Sequence, residues 1–345
     1  MTALMTAPMM SAVPSIQPAV YMPHELHRAE RIWPETNCYV DLWIELLHSL
    51  RMDPCAMLAF TLAMDFEGDQ WTFFKPSLSD IHSLYGVDVQ ELTIWRSLPA
   101  QIEEQVSLDR PVLVEVDAFF LPDTQGVSYG IHHTKTTIAV RSIDRAAATL
   151  GYFHNAGYFE LSGADFDGLF AATSQTSTSH TATLHTASGG VSLAPYTEIA
   201  KLERLVYRSD SELCALARDL ATQHLRRRPS SNPVTRYRER FVRDVTWLSA
   251  QDMTVFHQYA FATLRQCGAC AELAASFLRW LDARCGDCTP AIDHFDTIAA
   301  TAKALQFKAA RAVSTRKPTE FGTMLDMMEG AWESAMADLI PRYGG

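Results

Sequence analysis

Two hydrophobic patterns alternate along the first 170 residues, and together they predict a mixed α and β domain. A stripe at helical spacing, formed by Tyr39, Trp43, Leu46 and Leu50, predicts a helix that begins at Cys38. Short runs of branched and aromatic residues, such as VLVEV, TKTTIAV and ATLGYF, predict strands. Because only RSIDRAA separates the last two runs, we expect them to pair in a mostly antiparallel sheet.

The pattern changes in the second half of the chain. Between Ala171 and Pro195 the residues are mainly Ser, Thr, Ala, His and Gly, which is typical of a linker or a mobile surface loop. From Tyr196 onward the spacing is helical nearly to the end. We therefore expect a disordered lead at 1–20, an α+β domain at 21–170, a linker at 171–195 and an all-helical domain at 196–345.

Composition limits the partners that this chain can have. It carries 29 basic and 40 acidic side chains, for a net charge of -11, which argues against duplex nucleic acid and anionic membranes as partners. No segment is apolar for long enough to span a membrane, and the start of the chain lacks the basic region of a signal peptide. These features predict a cytoplasmic protein whose seven cysteines are reduced thiols.

Cys38 stands where a catalytic thiol is usually built. The segment PETNCYVDLW predicts a turn, a polar cap at Asn37 and then a helix that starts at the cysteine. A helix start presents unpaired backbone N–H groups and the positive end of the helix dipole, which favour the thiolate and can hold an oxyanion. The alternative is a small buried hydrophobic residue without reactivity.

A cysteine nucleophile needs a base, and His133 at the head of the TKTTIAV strand is the best candidate. A third residue would orient its ring. We expect Asn155, at the end of the next strand, to do so, with His154 as the alternative because an error of one residue in strand phase exchanges their directions. The order Cys, His, Asn matches papain-like catalysis, so the predicted α+β domain is papain-like.

Four cysteines in the second half invite a zinc interpretation, because CGAC at Cys267 to Cys270 is followed by CGDC at Cys285 to Cys288. The intervening AELAASFLRWLDAR has an uninterrupted helical pattern. A helix of that length would hold the two pairs on the order of 20 Å apart, which is too far for one metal ion. We therefore expect no metal site.

The chain resembles the bacterial family DUF1839 over nearly its whole length. The resemblance rests on the runs NCYVDLWIELLHSL, VLVEVDAFFLPDT, HTKTTIAV, GYFHNAGYFELSGADF and FHQYAFATLRQCGACAELAASFLRWL. The N-terminal half also resembles, more distantly, the papain-like acyltransferase of butirosin biosynthesis, which moves an aminoacyl-type group from a carrier protein onto an amine. These resemblances imply thioester chemistry on Cys38 with His133 as base, in amino acid activation on carrier proteins outside the ribosome.

The function expected from the sequence is therefore a cysteine-dependent acyltransferase. It would take an aminoacyl or acyl group from the phosphopantetheine thioester of a carrier protein, hold it on Cys38 and pass it to a small amine. The phosphopantetheine would arrive with the donor, so the protein needs no cofactor of its own. No glutamine precedes Cys38, so the second oxyanion donor is unassigned. A thioesterase or amidohydrolase with the same residues, or a non-catalytic carrier-binding adaptor, are the alternatives.

Charged residues suggest where substrates would bind. Carboxylates near the predicted site could select the ammonium group of an aminoacyl substrate, or be solvated, and Lys135 points to the same side as His133. The carboxylates are Asp65, Glu115 and Asp117. A basic cluster could dock an acidic carrier protein, or consist of solvated helix ends. Its main members are Arg226, Arg227, Arg228 and Arg236.

Overall fold

The structure is a computed structural model, and it describes residues 16–174, 184–185, 191–192, 194–287, 289–317 and 319–343. The helices of the first half are α1 (Cys38–Ser49), α2 (Leu78–Tyr85), α3 (Leu98–Ser107) and α4 (Ala164–Ser174), with a long 3-10 segment at Pro54–Ala63. The strands are β1 (Asp88–Glu91), β2 (Val112–Asp117), β3 (Lys135–Asp144), β4 (Thr149–His154), β5 (Gly157–Ser162), β6 (Leu184–His185), β7 (Val191–Ser192) and β8 (Thr197–Lys201).

Six of these strands form one antiparallel sheet in the order β1-β8-β2-β3-β4-β5, while β6 pairs with β7. The predicted antiparallel pairing of TKTTIAV with ATLGYF is confirmed, since Ala139 lies opposite Phe153. The predicted start of the helical domain at residue 196 is wrong, because β8 lies inside the sheet between β1 and β2. A strand of five residues is too short for its periodicity to distinguish it from a helix.

The two faces of the sheet carry different helices. Leu113, Ala139 and Phe153 point towards α1, whereas the alternate residues of the same strands pack with α3 and α4. The hydrophobic core around α1 continues into the second half of the chain, because the 3-10 segment at Pro54–Ala63 packs against helices from that half. Helix α1, which begins at Cys38, is therefore buried between the sheet and the helical half.

The second half is helical, as predicted beyond β8. Its helices are α5 (Asp210–Arg226), α6 (Pro233–Leu248), α7 (Met253–Ala260), α8 (Gln266–Cys285), α9 (Ala291–Thr315) and α10 (Gly322–Tyr343). A π-helical turn at Phe261–Arg265 joins α7 to α8. Within the described ranges, no helix combines the length and the apolar character needed to cross a membrane.

The structure leaves two predicted segments largely undescribed, and it corrects the prediction about the cysteines. The predicted lead at 1–20 and linker at 171–195 lie mostly outside the described residues. The prediction that every cysteine is reduced is wrong for one pair, because a disulfide joins Cys214 of α5 to Cys285 at the end of α8. That helix is continuous, so Cys267 and Cys285 are separated by about 27 Å of helix. Cys288 lies outside the described residues.

Candidate active site

Cys38 is the first residue of α1, which confirms the predicted helix start. The side chain of Asn37 caps the helix by accepting a hydrogen bond of 3.0 Å from the backbone N–H of Val40. Its amide nitrogen donates to the carbonyl of Phe74 at 3.0 Å, so the cap is also fixed from the other side. Because Asn37 is buried, the position of the cysteine at the helix end is rigidly determined.

The thiol of Cys38 differs from the other free thiols. Of the four free cysteines in the described part of the chain, it alone is not buried. Burial raises the pKa of Cys55, Cys267 and Cys270, which keeps these thiols protonated. Among the described residues, the backbone N–H groups of Cys38 and Tyr39 have no hydrogen-bond acceptor. A half-exposed thiol therefore lies next to two unpaired donors.

The loop that enters α1 is held from within the helix by Asp41. This buried carboxylate accepts hydrogen bonds from the backbone N–H of Thr36 at 2.8 Å and from its hydroxyl at 2.6 Å. The ring of His27 lies between Asp41, at 3.3 Å, and Glu45. Burial alone would lower the pKa of His27, but the hydrogen bonds to the two carboxylates raise it to about 9. His27 is therefore a cation at neutral pH, and its charge offsets one of the two α1 carboxylates that it contacts.

The same loop is held from outside by the helical half. Glu272 of α8 accepts hydrogen bonds from the backbone N–H groups of Ile32 and Trp33, at 3.0 and 2.8 Å. Arg265, in the π-helical turn, donates to the carbonyl of Thr36 at 2.9 Å and to that of Glu35 at 3.1 Å. The segment leading to Cys38 is thus positioned by residues that lie more than 200 positions later in the chain.

His133 is exposed, and its orienting partner is Asp117. Its Nδ1 lies 2.6 Å from the Asp117 carboxylate, and its ring stacks on Phe119 with the ring centroids 4.4 Å apart. No described contact joins His133 to Cys38 or to Asn155. Asn155 lies in the tight turn between β4 and β5 with a φ of 43°, so the structure gives no support to its predicted orienting role.

His154 is turned away from His133. Its Nδ1 lies 2.5 Å from the Asp123 carboxylate, and its Nε2 is 2.8 Å from the hydroxyl of Thr136. Tyr152, two residues earlier on the same face of β4, donates to the same carboxylate at 2.6 Å. Because strand residues alternate, this face is the one opposite α1. Both ring nitrogens of His154 are occupied, so this residue is not available to orient His133.

The predicted substrate-binding charges pair with one another. Lys135 lies 2.6 Å from Glu115 on the neighbouring strand. Asp65 forms an ion pair with Arg236, which also donates to the carbonyl of Phe66 at 2.6 Å. The charges of Asp65 and Arg236 therefore neutralise each other, so neither side chain presents an unpaired charge to a substrate or a carrier protein.

The other predicted docking arginines lie where α5 ends. Arg226 and Arg227 are exposed, and Arg228 donates a hydrogen bond of 2.7 Å to the carbonyl of Leu225. Together with Ser230 and Ser231, Arg226 and Arg228 line a shallow pocket whose far wall is formed by α10. This surface remains a candidate for binding an anionic group.

A cavity of about 790 Å³ lies at the sheet end that carries His133. Its polar lining includes Glu115, Asp117, His133, Lys135 and Tyr196. Four of these five were predicted as site residues, so the fold does gather them at one place. Because the Glu115–Lys135 and Asp117–His133 pairs are adjacent across β2 and β3, the cavity contains two neighbouring acid–base pairs.

Glu198 links the cavity to the start of α1. Its buried carboxylate accepts a hydrogen bond from Tyr39 at 2.8 Å and one from Tyr196 at 2.8 Å. Burial raises the pKa of both phenols, and the interaction with Glu198 raises each pKa further. The pKa of Tyr196 reaches about 12. Both hydroxyls therefore stay protonated and donate. Tyr39, the residue after Cys38, is therefore connected through Glu198 to Tyr196, which lines the cavity.

Sequence reasoning missed four residues that organise this site. They are Asp41, Glu198, Arg265 and Glu272. Only Asp41 had a local signal, because an acidic residue in the first turn of a helix lies close to the loop before it. The other three act through contacts across 159 or more residues, for which a single sequence carries no signal.

A second cluster has the chemistry of a metal site. His24, Asp53 and Cys55 offer nitrogen, oxygen and sulfur atoms that lie within 4.8 Å of one another. Burial, and then the charge of His48, lower the pKa of His24 to about 4, so its ring is neutral. Two of the three groups already have partners within the protein, since Nδ1 of His24 accepts from the backbone N–H of Leu26 and Asp53 accepts from Trp280 at 2.8 Å.

Comparison with known proteins supports the two-part organisation. The model of the DUF1839 N-terminal domain matches residues 22–201, a range that includes β8, and the model of the DUF1839 C-terminal domain matches residues 210–340. A search among curated proteins found no match. Because the two family models together span most of the chain, from the segment before Cys38 to the last helix, the protein belongs to the DUF1839 family.

Proposed function

We propose that the protein is a cysteine-dependent acyltransferase that takes an aminoacyl or acyl group from the phosphopantetheine thioester of a carrier protein and passes it to a small amine. One observation carries the proposal: the half-exposed, unpaired thiol of Cys38 lies on the first residue of α1, beside two unpaired backbone donors. An α-helix with this cysteine at its start, packed on an antiparallel sheet, also supports a papain-like domain.

In the first step the Cys38 thiolate attacks the thioester carbon, and the carbonyl oxygen becomes an oxyanion. The N–H groups of Cys38 and Tyr39 would hold this oxyanion, so the Tyr39 amide fills the donor position that the sequence left unassigned. The bond to the pantetheine sulfur then breaks, and that sulfur leaves with a proton. In the second step the amine attacks acyl-Cys38, loses a proton and releases the thiol.

His133 is the proposed carrier of these protons. Asp117 binds Nδ1 and fixes the tautomer of the ring, which leaves Nε2 for proton transfer. This assignment keeps the predicted base and replaces the predicted Asn155 by a carboxylate. Proton exchange with Cys38 requires the His133 ring to approach the thiol when substrate is bound, and the exposure of the ring leaves space for that movement.

A thioesterase is the second candidate. The side chain of His133 is 70% exposed, so water can reach the base that would activate it. Hydrolysis of acyl-Cys38 would use the same residues, and only the acceptor would differ. In both cases we place the reaction in the cytoplasm, as the sequence predicts, and we expect neither nucleic acid nor a membrane as partner.

The test is to mix the protein with an aminoacylated carrier protein and measure its mass. We expect the mass of one acyl group on the wild type and none on Cys38→Ala. His133→Ala should slow the loading, whereas His132→Ala, its exposed neighbour, should not. The proposal is wrong if the wild type is never acylated, or if Cys38→Ala is acylated equally well.

Alkylation separates an enzyme from a non-catalytic adaptor. Iodoacetamide should modify Cys38 first, because Cys55, Cys267 and Cys270 are buried and remain protonated. Peptide mapping after short exposure would identify the modified residue. Equal labelling of these four thiols would favour the adaptor.

A further inference from the structure

Two exposed aromatic rings and two cations lie side by side where α9 meets the π-helical turn. We call Phe261, Arg265, Lys303 and Phe307 the cationic–aromatic patch. Phe261 is 43% and Phe307 is 64% exposed, which is unusual for phenylalanine. The guanidinium of Arg265 lies 5.7 Å from the Phe261 ring centre, and the Lys303 ammonium lies 5.9 Å from that of Phe307.

The two cations of the patch are not neutralised by carboxylates. Within the described ranges neither Arg265 nor Lys303 forms an ion pair, whereas seven arginines of the helical half do. Arg265 donates to backbone carbonyls, and the nearby Glu272 carboxylate accepts from backbone N–H groups and pairs with Arg31. Burial and the charge of Arg265 lower the pKa of Lys303, which agrees with two cations close together. The patch is positive on a chain of net charge -11.

The patch borders the segment that leads to the nucleophile. Lys303 lies 4.1 Å above the ring of Trp33, and Arg265 binds the carbonyl of Thr36, two residues before Cys38. A partner bound here would contact the loop whose conformation sets the start of α1. By comparison, no described contact joins Arg226, Arg227 or Arg228 to residues 31–38.

We propose that the cationic–aromatic patch is the docking surface for the acidic carrier protein that delivers the thioester to Cys38. This inference rests on the proposed function and moves the predicted docking site from the α5 arginines to α9. Unpaired cations steer an acidic partner and fix its orientation, and exposed aromatic rings supply the area that binding buries. A second copy of this chain is also acidic and is the competing occupant, which the measurement of self-association below separates from the carrier protein.

The test measures binding separately from chemistry. The Cys38→Ala protein is titrated with an acidic acyl carrier protein that carries phosphopantetheine, and the Kd is measured by calorimetry. Adding Lys303→Glu or Phe307→Ala should weaken binding by about tenfold or more, and salt should weaken binding less in the Lys303→Glu protein. Arg226→Glu tests the α5 arginines as the alternative docking surface: it reverses one exposed arginine there, and docking at the patch predicts an unchanged Kd.

A kinetic arm separates docking from the reaction itself. In proteins that retain Cys38, Lys303→Glu should slow acylation from the carrier but not from a small N-acetylcysteamine thioester. Docking at the patch is refuted if the carrier does not bind the Cys38→Ala protein, if only Arg226→Glu weakens binding, or if sedimentation shows that Phe307 mediates self-association. Failure of the wild type to acquire acyl groups from either donor would refute the proposed function and leave the binding result interpretable.

Discussion

The hydroxyl of Tyr39 donates a 2.8 Å hydrogen bond to the carboxylate of Glu198, which joins the second residue of α1 to the strand β8. The carboxylate is buried and its other oxygen accepts from Tyr196. Two protonated phenols therefore keep a buried negative charge hydrogen-bonded. This relationship fixes the angle at which α1 meets the sheet, and with it the position of Cys38.

Replacing Tyr39 by Phe should lower the free energy of unfolding by about 1–3 kcal/mol, because a buried carboxylate loses one of its two donors. Tyr196→Phe is the matched control: it removes the other donor, but Tyr196 is half-exposed and water can replace its hydroxyl. Urea denaturation of both variants measures the difference. Equally large losses would mean that water cannot replace the Tyr196 hydroxyl, and equally small losses would mean that water reaches Glu198 from both sides.

His27 should make stability depend on pH in the alkaline range. Its folded-state pKa of about 9 lies above the ordinary value of 6.5, so its stabilisation is complete below pH 6.5 and is lost as the pH rises through 9. The loss amounts to about 3 kcal/mol as an upper bound. Urea denaturation between pH 6 and 9.5 measures it. His27→Gln should flatten this dependence, whereas His132→Gln, at an exposed position, should not.

Two helical glycines should respond to alanine in opposite directions. A Cβ on Gly268 would lie 2.6 Å from the Trp33 ring, so Gly268→Ala should destabilise by about 1–3 kcal/mol and disturb the loop before Cys38. A Cβ on Gly330, in α10, meets nothing within 4 Å, so Gly330→Ala should stabilise by roughly 0.5–1 kcal/mol. Thermal unfolding compares the two variants. Stabilisation by both would show that Trp33 moves freely.

Arg265→Lys should separate the positioning of the loop from the charge of the patch. Lysine keeps the positive charge but cannot donate to the carbonyls of Glu35 and Thr36 with the fixed fork of a guanidinium. We expect acylation from a small thioester to slow by about tenfold, because Cys38 is less well held, while the Kd for the carrier protein changes little. Unchanged rates would show that Glu272 alone fixes the loop.

Local patterns were sufficient to predict the parts of the site that depend on one element. The start of α1 at Cys38, the pairing of β3 with β4, and the common side of His133 and Lys135 follow from cap chemistry and strand alternation. Asp117 was expected to bind substrate, and its pairing with His133 depends on which strand neighbours which. The structure shows that β2 pairs with β3, and no local pattern in the sequence predicts that pairing.

The contacts that the π-helical turn and α8 make with the loop before Cys38 also affect when that loop can become ordered during synthesis. Residues 31–37 are synthesised early, whereas Arg265 and Glu272, which fix them, leave the ribosome more than 200 residues later. The β8 strand, needed between β1 and β2, also follows well after the rest of the sheet. A nascent chain therefore carries Cys38 without an ordered surrounding loop, and we expect reactivity towards thioesters to emerge only once translation has passed α8.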